Sequence, residues 1–281
     1  MKEGNAISDA HQVTAWPPIR NLVSDMLAIS QRTHNGYGLL EFDVTTPLAR
    51  IAEHKTRMPD GISFTAFLAY CLGHAIGEHP GVHACRQGGR LVVFDDVDIS
   101  TLLEKTKPDG ARVPVIYIVR AANRKSLAEI NEEIRRAVRD DLYDDPAVRR
   151  RRRIVRMPAL LRRGVWWWIR RDPVRRKRQW GTAVLSNVGS AIDARPSWGL
   201  VQSFLPCSVT VGGIFERVCW RNERAEPRKM MSVTVAVDHD IVDGVPGGRF
   251  VARFAELVEA AAGLDEEFGT SAGDRAEGQS R

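Results

Sequence analysis

The chain turns from strand to helix within one stretch, Val235-Ala-Val-Asp-His-Asp-Ile-Val-Asp-Gly-Val-Pro-Gly-Gly-Arg-Phe250. Residues 231–237 alternate β-branched with small or polar side chains, which predicts a strand, and the apolar periodicity that follows predicts a closing helix. Asp243-Gly244 turns the chain between the two elements. His239 therefore stands where strand gives way to loop, a common location of catalytic groups held on a rigid scaffold. Because Asp243 follows four residues later, His239 is a candidate general base with a fixed partner. The alternative is that His239 is an ordinary surface histidine.

A second candidate group lies upstream, in Trp180-Gly-Thr-Ala-Val-Leu-Ser-Asn-Val-Gly189. Ser186 follows the predicted strand 183–185, and a hydroxyl in that position can donate one hydrogen bond to a developing alkoxide. The alternative is that residues 186–189 form a simple turn. The histidine motif beside it favours the catalytic interpretation.

Together these motifs resemble the catalytic domain of the 2-oxoacid dehydrogenase acyltransferases (dihydrolipoamide acyltransferases), which is related to chloramphenicol acetyltransferase. His-x-x-x-Asp-Gly preceded by Asp238 is similar to that family's signature. In the chloramphenicol enzyme and in peptide-synthetase condensation domains a second histidine usually stands at this position. Residues 181–189 are similar to the family's Gly-Thr-Phe-Thr-Ile-Ser-Asn-Leu-Gly. Asp240 departs from the pattern, since the family commonly has arginine there, and it makes the motif more acidic.

Further segments resemble the family in the same order, from about residue 16 to residue 264. They are an amphipathic helix opening with Ile19-Arg20, a strand at 41–45, a serine-capped helix at 63–76, the strand 97–100, the loop 106–115 with one residue more, and a helix opening at 124–130. The resemblance implies an α/β fold (an α+β sandwich), chloramphenicol acetyltransferase-like, with a mixed β-sheet flanked by helices.

The resemblance also implies a chemistry: transfer of an acyl group between coenzyme A and a thiol of the dihydrolipoyl type, or another small acceptor. His239 would be the general base and Ser186 the oxyanion donor. Asp243 would hold the histidine loop through an ion pair with an arginine near the amino terminus, for which Arg20 is the candidate. Two further residues are expected to support the site, Gly244 and Asn187. In the family the site lies between neighbours in a homotrimer, His from one subunit and Ser from the next.

Composition is compatible with one catalytic domain over 16–264, preceded by an extension at 1–15. The chain of 281 residues is 43% apolar and 27% charged, and no Pro/Ser-rich linker divides it. Its four cysteines lack the pair spacing of zinc or redox sites, so we expect reduced core thiols. No signal peptide or membrane span is evident, so a cytoplasmic location is expected. A metal site at 238–243 is disfavoured because adjacent strand residues point to opposite faces.

One segment carries the basic charge of the chain. Residues 149–178 contain thirteen Arg and one Lys against the single acid Asp172, a net +13 in a chain whose total is +6, so the remainder carries −7. The same segment holds the apolar clusters 157–161 and 165–169. It lies in an insertion at about 145–179, where the family has a short connection. Three interpretations stay open: a helical hairpin packed on its own trimer, with arginines solvated or near coenzyme A; an interfacial element on an anionic membrane; and, least favoured, a nucleic-acid arm.

Full-length dehydrogenase acyltransferases carry lipoyl domains ahead of the core, whereas the resemblance here starts by residue 16. We therefore expect no lipoyl group on this chain, with the acceptor thiol supplied by a lipoylated partner or a small molecule. The polar residues 265–281 are predicted to be a disordered tail, which favours an isolated trimer over larger cores. The alternative function is a catalytically altered relative that acts as a membrane- or lipid-associated binding or scaffold protein.

Overall fold

The computed structural model of the chain describes residues 11–58, 61–106, 112–140, 146–189, 192, 194–221 and 223–265. The α-helices in these ranges are α1 (Ile19–Ser30), α2 (Thr45–Arg57), α3 (Phe64–Glu78), α4 (Leu127–Arg139), α5 (Pro146–Arg156), α6 (Ala159–Arg170), α7 (Pro173–Trp180) and α8 (Gly244–Glu259). The strands are β1 (Asn35–Asp43), β2 (Cys85–Gln87), β3 (Arg90–Val92), β4 (Ile99–Thr106), β5 (Arg112–Val119), β6 (Ala183–Asn187), β7 (Cys207–Arg221) and β8 (Arg224–Asp238). Short 3₁₀ helices cover Pro80–His83 and Ala122–Arg124.

Six strands form one mixed sheet in the order β1-β8-β7-β6-β4-β5. β6 runs parallel to both β4 and β7, and the other neighbouring pairs are antiparallel. β2 and β3 form a separate hairpin. This is the predicted α/β architecture, a mixed sheet flanked by helices.

The main core lies between the sheet and the helices α3 and α8. α3 is apolar on almost every side, and the side chains of Phe67, Leu72 and Ile76 are fully buried. α8 contributes Phe250 and Phe254, whose rings stack on each other with centroids 6.5 Å apart. A helix that is apolar all round must be buried, so α3 is the central helix of this layer.

Local capping sets where the predicted helices begin. The Ser63 side chain accepts a hydrogen bond from the Ala66 N–H at 3.1 Å, as the serine cap predicted. At α4, Ser126 and Glu129 form a reciprocal capping box. Both starts therefore follow from consecutive residues.

Two predicted boundaries are wrong. The strand expected at 41–45 ends at Asp43, because the Asp43 carboxylate accepts the Thr45 N–H at 3.0 Å and α2 begins there. α8 begins at Gly244, ahead of the apolar periodicity from Phe250 onward that predicts this helix, and the Gly247 N–H already bonds to the Asp243 carbonyl at 3.0 Å. Side-chain and main-chain bonds made at the turns override the apolar periodicity in both places.

The Arg- and Trp-rich segment folds as α5, α6 and α7, three helices rather than a hairpin. Trp166 stacks on Trp180 with ring centroids 5.2 Å apart, and both meet Phe204 edge-on. Trp166 Nε1–H donates to Asp25 of α1 at 3.1 Å, and Arg162 pairs with the same carboxylate at 2.8 Å. The segment therefore packs on its own chain through a second, smaller apolar core.

Several predictions concern residues beyond those that the structure describes. The first ten residues, residues 107–111 of the loop 106–115 and the tail from residue 266 lie outside the described ranges. Within those ranges, no helix has both the length and the apolar character needed to cross a membrane.

Candidate active site

His239 lies at the first position after β8, in a tight turn. The Asp238 carbonyl accepts the N–H groups of both Ile241 and Val242 at 3.0 Å, and the His239 N–H donates to the His34 carbonyl at 2.8 Å. The Asp238 N–H is bonded to the Pro206 carbonyl at 2.8 Å. These main-chain bonds fix the backbone, while the His239 side chain itself is exposed. The loop thus presents an accessible imidazole from a backbone held by hydrogen bonds, at the end of a strand as predicted.

The imidazole of His239 packs directly on the backbone of β1. A Cβ placed on Gly36 would stand 2.8 Å from His239 Cδ2, closer than carbon atoms normally approach. Gly36 is opposite Val237 in the β1–β8 register. Only glycine at this position leaves room for the ring, and sequence analysis missed this residue because it lies two hundred residues upstream.

A cleft of about 310 Å³ opens beside His239. Its walls are almost entirely apolar side chains and glycines, contributed by β1, β8 and the start of α8. They include Gly36, Gly38, Leu40, Val237, Val242 and Gly247. The predicted site residues Asp243 and Gly244 also line it. The cleft is at the small end of ligand pockets and suits a slim, largely apolar chain.

Asp240, the departure from the family motif, has a partner that sequence analysis missed. His34 Nδ1 lies 2.9 Å from the Asp240 carboxylate. This hydrogen bond, and then the negative charge of Asp240, raises the pKa of His34. Partial burial raises the pKa of the neighbouring Asp238 carboxyl. The His34 segment is therefore tied to the histidine loop twice, through its carbonyl and through its ring.

Asp243 and Arg20, predicted to form an ion pair, are not joined within one chain. Asp243 occupies the N-cap position of α8 with its side chain exposed and not capping the helix. Arg20 is exposed on α1, in the helix that packs on α5. Among the residues that the structure describes, neither side chain has an ion-pair partner in the same chain. The ion pair between Asp243 and Arg20 remains a prediction for the assembled trimer. Gly244 is the first residue of α8, and no atom lies within 4 Å of a Cβ placed on it.

Ser186 and Asn187 end β6. Ser186 is half-buried, and the Asn187 side chain accepts the Gly189 N–H at 3.1 Å, closing the turn after the strand. Ser186 is level with Thr210 of β7, which in turn is level with Thr234 of β8. His239 lies five residues beyond that level.

The strand register therefore separates the two catalytic candidates. Strands rise about 3.3 Å per residue and lie about 4.8 Å apart, which places Ser186 roughly 19 Å from His239 within one chain. A side chain spans only a fraction of that distance. The structure thus brings His239, Asp243 and Gly244 to one cleft and leaves Ser186 and Asn187 at the far end of β6, away from that cleft.

The cysteines do not contribute to this cleft. Cys71, Cys85 and Cys207 are buried, Cys219 is half-buried, and all four are free thiols. Burial raises the pKa of the Cys207 thiol to about 12 and raises those of Cys71 and Cys85, which disfavours the nucleophilic thiolate. Across the described part of the chain, no three His, Cys, Asp or Glu side chains are grouped so that they could hold a metal ion.

The chain is similar in sequence to acyltransferase components of the pyruvate and branched-chain alpha-keto acid dehydrogenase complexes. The Bacillus subtilis (strain 168) lipoamide acyltransferase component of the branched-chain alpha-keto acid dehydrogenase complex is 22% identical over 253 residues, 88% of this chain and 51% of that protein. The dihydrolipoyllysine-residue acetyltransferase component of the pyruvate dehydrogenase complex from Mycoplasma pneumoniae is 25% identical over 198 residues, 70% of this chain and 42% of that protein. The chain thus spans about half the length of these relatives.

Solved structures of such proteins share the fold. The probable dihydrolipoamide acetyltransferase of Listeria monocytogenes aligns with a TM-score of 0.66 at 17% identity, covering 90% of this chain and 97% of that one. The truncated catalytic core of the Thermoplasma acidophilum 2-oxoacid dehydrogenase complex aligns with a TM-score of 0.61 at 20% identity, covering 90% and 100%. At these identities the likeness establishes the fold alone, and it confirms the predicted class.

The family model described as "2-oxoacid dehydrogenases acyltransferase (catalytic domain)" matches residues 9–142 and 177–264. The two matched segments contain both motifs of the candidate site. The residues between them hold most of the Arg- and Trp-rich helices α5, α6 and α7. The resemblance seen in the sequence is confirmed: this chain belongs to the 2-oxoacid dehydrogenase acyltransferase family.

Proposed function

We propose that this protein is an acyltransferase that moves an acyl group between coenzyme A and a thiol, at a site built between neighbouring chains of a homotrimer. Family membership supports the reaction class. The observation that carries the proposal is the separation of His239 from Ser186, because a chemistry that needs both residues needs them from different chains. A rotationally symmetric ring of head-to-tail contacts supplies that arrangement once at every interface.

The attack begins at His239. A free thiol has a pKa of ~8.5 and is largely protonated at neutral pH, so acyl transfer needs a base, and histidine is the usual one. His239 takes the S–H proton, and the sulfur attacks the carbonyl carbon of the thioester. The apolar cleft beside His239 is the approach path for the slim thiol-bearing arm.

The tetrahedral intermediate carries its negative charge on oxygen. Ser186 of the neighbouring chain donates its hydroxyl hydrogen to this oxyanion. Collapse then breaks the original carbon–sulfur bond, and the departing thiolate takes the proton back from His239. The reaction exchanges one thioester for another, so it consumes no oxidant or reductant.

The acceptor class follows from the family, whose members act on dihydrolipoyl thiols. We propose a dihydrolipoyl-type thiol presented by a lipoylated partner protein or as free dihydrolipoamide, with another small acceptor as the alternative. Coenzyme A or acyl-CoA enters as substrate. A panel of acyl-CoA thioesters incubated with dihydrolipoamide, with free coenzyme A measured by chromatography, identifies the preferred pair. Absence of turnover across the panel would favour the binding or scaffold alternative.

Two single variants test the residue roles. His239→Ala should abolish transfer, and Ser186→Ala should lower kcat by roughly 10²- to 10³-fold with little change in KM, the usual effect of losing one oxyanion donor. Wild-type turnover by either variant would remove that residue from the mechanism. Circular dichroism of each variant controls for folding.

Subunit mixing tests the shared site. Trimers assembled at random from equal amounts of His239→Ala and Ser186→Ala chains should regain activity at about a quarter of the sites, since each site draws one residue from each of two neighbours. Separately assembled variants that are mixed without exchange are the control. A site within one chain predicts no recovery. Light scattering should give a mass near three chains of 31.4 kDa, and a monomer or a particle of about 24 chains would contradict the trimer.

A further inference from the structure

Helix α6 has two apolar faces, and the part of the chain that the structure describes covers one of them. Trp166 and Ile169 are buried against α1, Trp180 and Phe204, at 4% and 1% exposure. The other face carries four large apolar side chains in solvent: Leu160 (79% exposed), Leu161 (60%), Trp167 (58%) and Trp168 (48%). At 3.6 residues per turn, positions 160, 161, 164, 167 and 168 share one side of a helix. Gly164 between them adds no polar group.

Cationic side chains lie directly beside this outward face. The Arg171 guanidinium sits 4.6 Å from the centre of the Trp167 ring, and the Arg175 guanidinium sits 3.4 Å from that of Trp168. Exposed Val174 of α7 continues the apolar surface next to Trp168. The surface therefore presents aromatic and aliphatic groups that are fringed by guanidinium groups.

A cleft of about 280 Å³ opens at the edge of the same surface. Trp168 and Val174 form its apolar side, and three guanidinium side chains surround it, those of Arg150, Arg175 and Arg178. Asp172 is the one acid among the described residues that line it; it caps α7 and is paired with Arg175 at 3.4 Å. Among the residues that the structure describes, Arg150 and Arg178 have no ion-pair partner and remain to receive an anionic group.

The surrounding field is positive. Residues 149–178 carry +13, and the pKa of the nearby Arg170 is lowered, first by partial burial and then by the positive charges of Arg32 and Arg176. The positive charges of neighbouring guanidinium groups repel one another, and an anion that binds among them relieves this repulsion. A ligand of this surface therefore has to match both its positive charge and its apolar side chains.

We propose that the outward face of α6, with the adjoining Arg150–Arg178 cleft, binds the surface of an anionic phospholipid bilayer. α6 lies in the plane of the interface, with Trp167, Trp168 and Leu160 inserted at the boundary between headgroups and acyl chains. The arginines reach the phosphate layer, and the cleft accepts a headgroup phosphate. A helix with a basic fringe and an aromatic, aliphatic face has the composition of interfacial membrane helices.

Two other occupants fit less well. A nucleic acid would stack its bases on exposed tryptophans, but Arg171 and Arg175 already cover one face of each ring, and Leu160 and Leu161 offer nothing to a phosphate backbone. A second copy of this face would bring two segments of +13 together, and like charges at a contact repel. An anionic bilayer satisfies the charge and the apolar surface together.

Vesicle flotation of the full-length protein tests this proposal independently of catalysis. The vesicles are phosphatidylcholine alone, or phosphatidylcholine with about one third phosphatidylglycerol, at low and high salt. We expect flotation with the anionic vesicles only, reduced by salt. The Trp167→Ala/Trp168→Ala variant should bind at least about tenfold more weakly, since two aromatic anchors are lost. Trp220→Ala is the matched control, because Trp220 is a 76%-exposed tryptophan on β7, and it should float like wild type.

Several results would overturn the proposal. Equal flotation with neutral vesicles would remove the role of the arginines, and an equal loss in Trp220→Ala would remove the role of α6. No flotation of the wild-type assembly would mean that the face is covered in the oligomer. Homopolymeric RNA that binds the protein equally well with and without the tryptophan pair, while anionic vesicles fail, would assign the segment to nucleic acid. Unchanged acyl transfer in the tryptophan variant would show that it is folded.

Discussion

Gly36→Ala adds one methyl group directly against the imidazole of His239. The new Cβ would lie 2.8 Å from His239 Cδ2 and 3.7 Å from its Cγ, whereas carbon atoms at rest are about 3.5–4.0 Å apart. Gly36 lies in a paired strand and cannot move far without breaking the β1–β8 register. The ring must therefore shift by about 1 Å to restore an ordinary contact.

The magnitude follows from that displacement. A reacting group that is misplaced by about 1 Å can cost about 10²-fold in rate, or about 2.7 kcal/mol of barrier. Stability should change little. An off-rotamer histidine costs about 0.5–1.5 kcal/mol, and replacing glycine by alanine returns about 0.4–1 kcal/mol by restricting the unfolded chain. We therefore expect a kcat/KM about 100-fold below wild type and a Tm within about 4 °C of it.

The assay measures initial rates of coenzyme A release from the preferred acyl-CoA with dihydrolipoamide as acceptor. Gly81→Ala is the control for replacing glycine, since no atom lies within 4 Å of a Cβ placed on Gly81 and Gly81 does not line the cleft. This control should retain activity within about threefold of wild type. Wild-type turnover by a folded Gly36→Ala protein would refute the assigned position of the imidazole. An equal loss of activity in Gly81→Ala would show that the effect is not specific to the contact with His239.

Three further predictions concern the histidine loop and the second core. Asp243→Asn removes a negative charge from the N-terminus of α8 and should lower the free energy of unfolding in urea by about 0.3–1 kcal/mol at low ionic strength; a loss of several kcal/mol would instead indicate a buried ion pair with a neighbouring chain. The pKa of His34 is raised by Asp240, so the pair stabilises the fold below pH ~6.5 and ceases to do so as the pH rises through the raised pKa. An NMR titration should give a His34 pKa above ~6.5 in the wild type and a value closer to ~6.5 in Asp240→Asn. An unshifted wild-type pKa would contradict the pairing. Trp166→Ala empties part of the second core and should cost about 3–5 kcal/mol of unfolding free energy, whereas exposed Trp167→Ala should stay within about 0.5 kcal/mol, and similar losses from both would contradict the assigned burial.

Several features of this protein were predictable from consecutive residues. The starts of α3 and α4 follow from the Ser63 cap and from the capping box of Ser126 and Glu129, which are bonds made within one helical turn. The position of His239 at a strand end follows from the alternation of residues 231–237, and that of Ser186 from the short apolar run 183–185. Family membership could also be read from short motifs. In all of these cases the deciding interactions join residues that are close along the chain.

Other features depend on contacts between distant residues. Gly36 became a site residue only because β1 pairs with β8, and His34 meets Asp240 across 206 positions. No local pattern marks either contact. Likewise, the separation of Ser186 from His239 is a property of strand order and register, which the strand motifs do not encode.

The tryptophans of α6 show the division most clearly. By itself the sequence determined an arginine-rich segment with three consecutive tryptophans, and its composition allowed all of them to be buried or all to be exposed. The tertiary structure placed Trp166 in the second core and left Trp167 and Trp168 in solvent. Successive side chains of a helix are turned by about 100° around its axis, and α6 packs on α1 by one face only. Local chemistry determined the elements and the identity of the reactive groups. Packing of elements far apart in the chain decided which of those groups meet and which face outward.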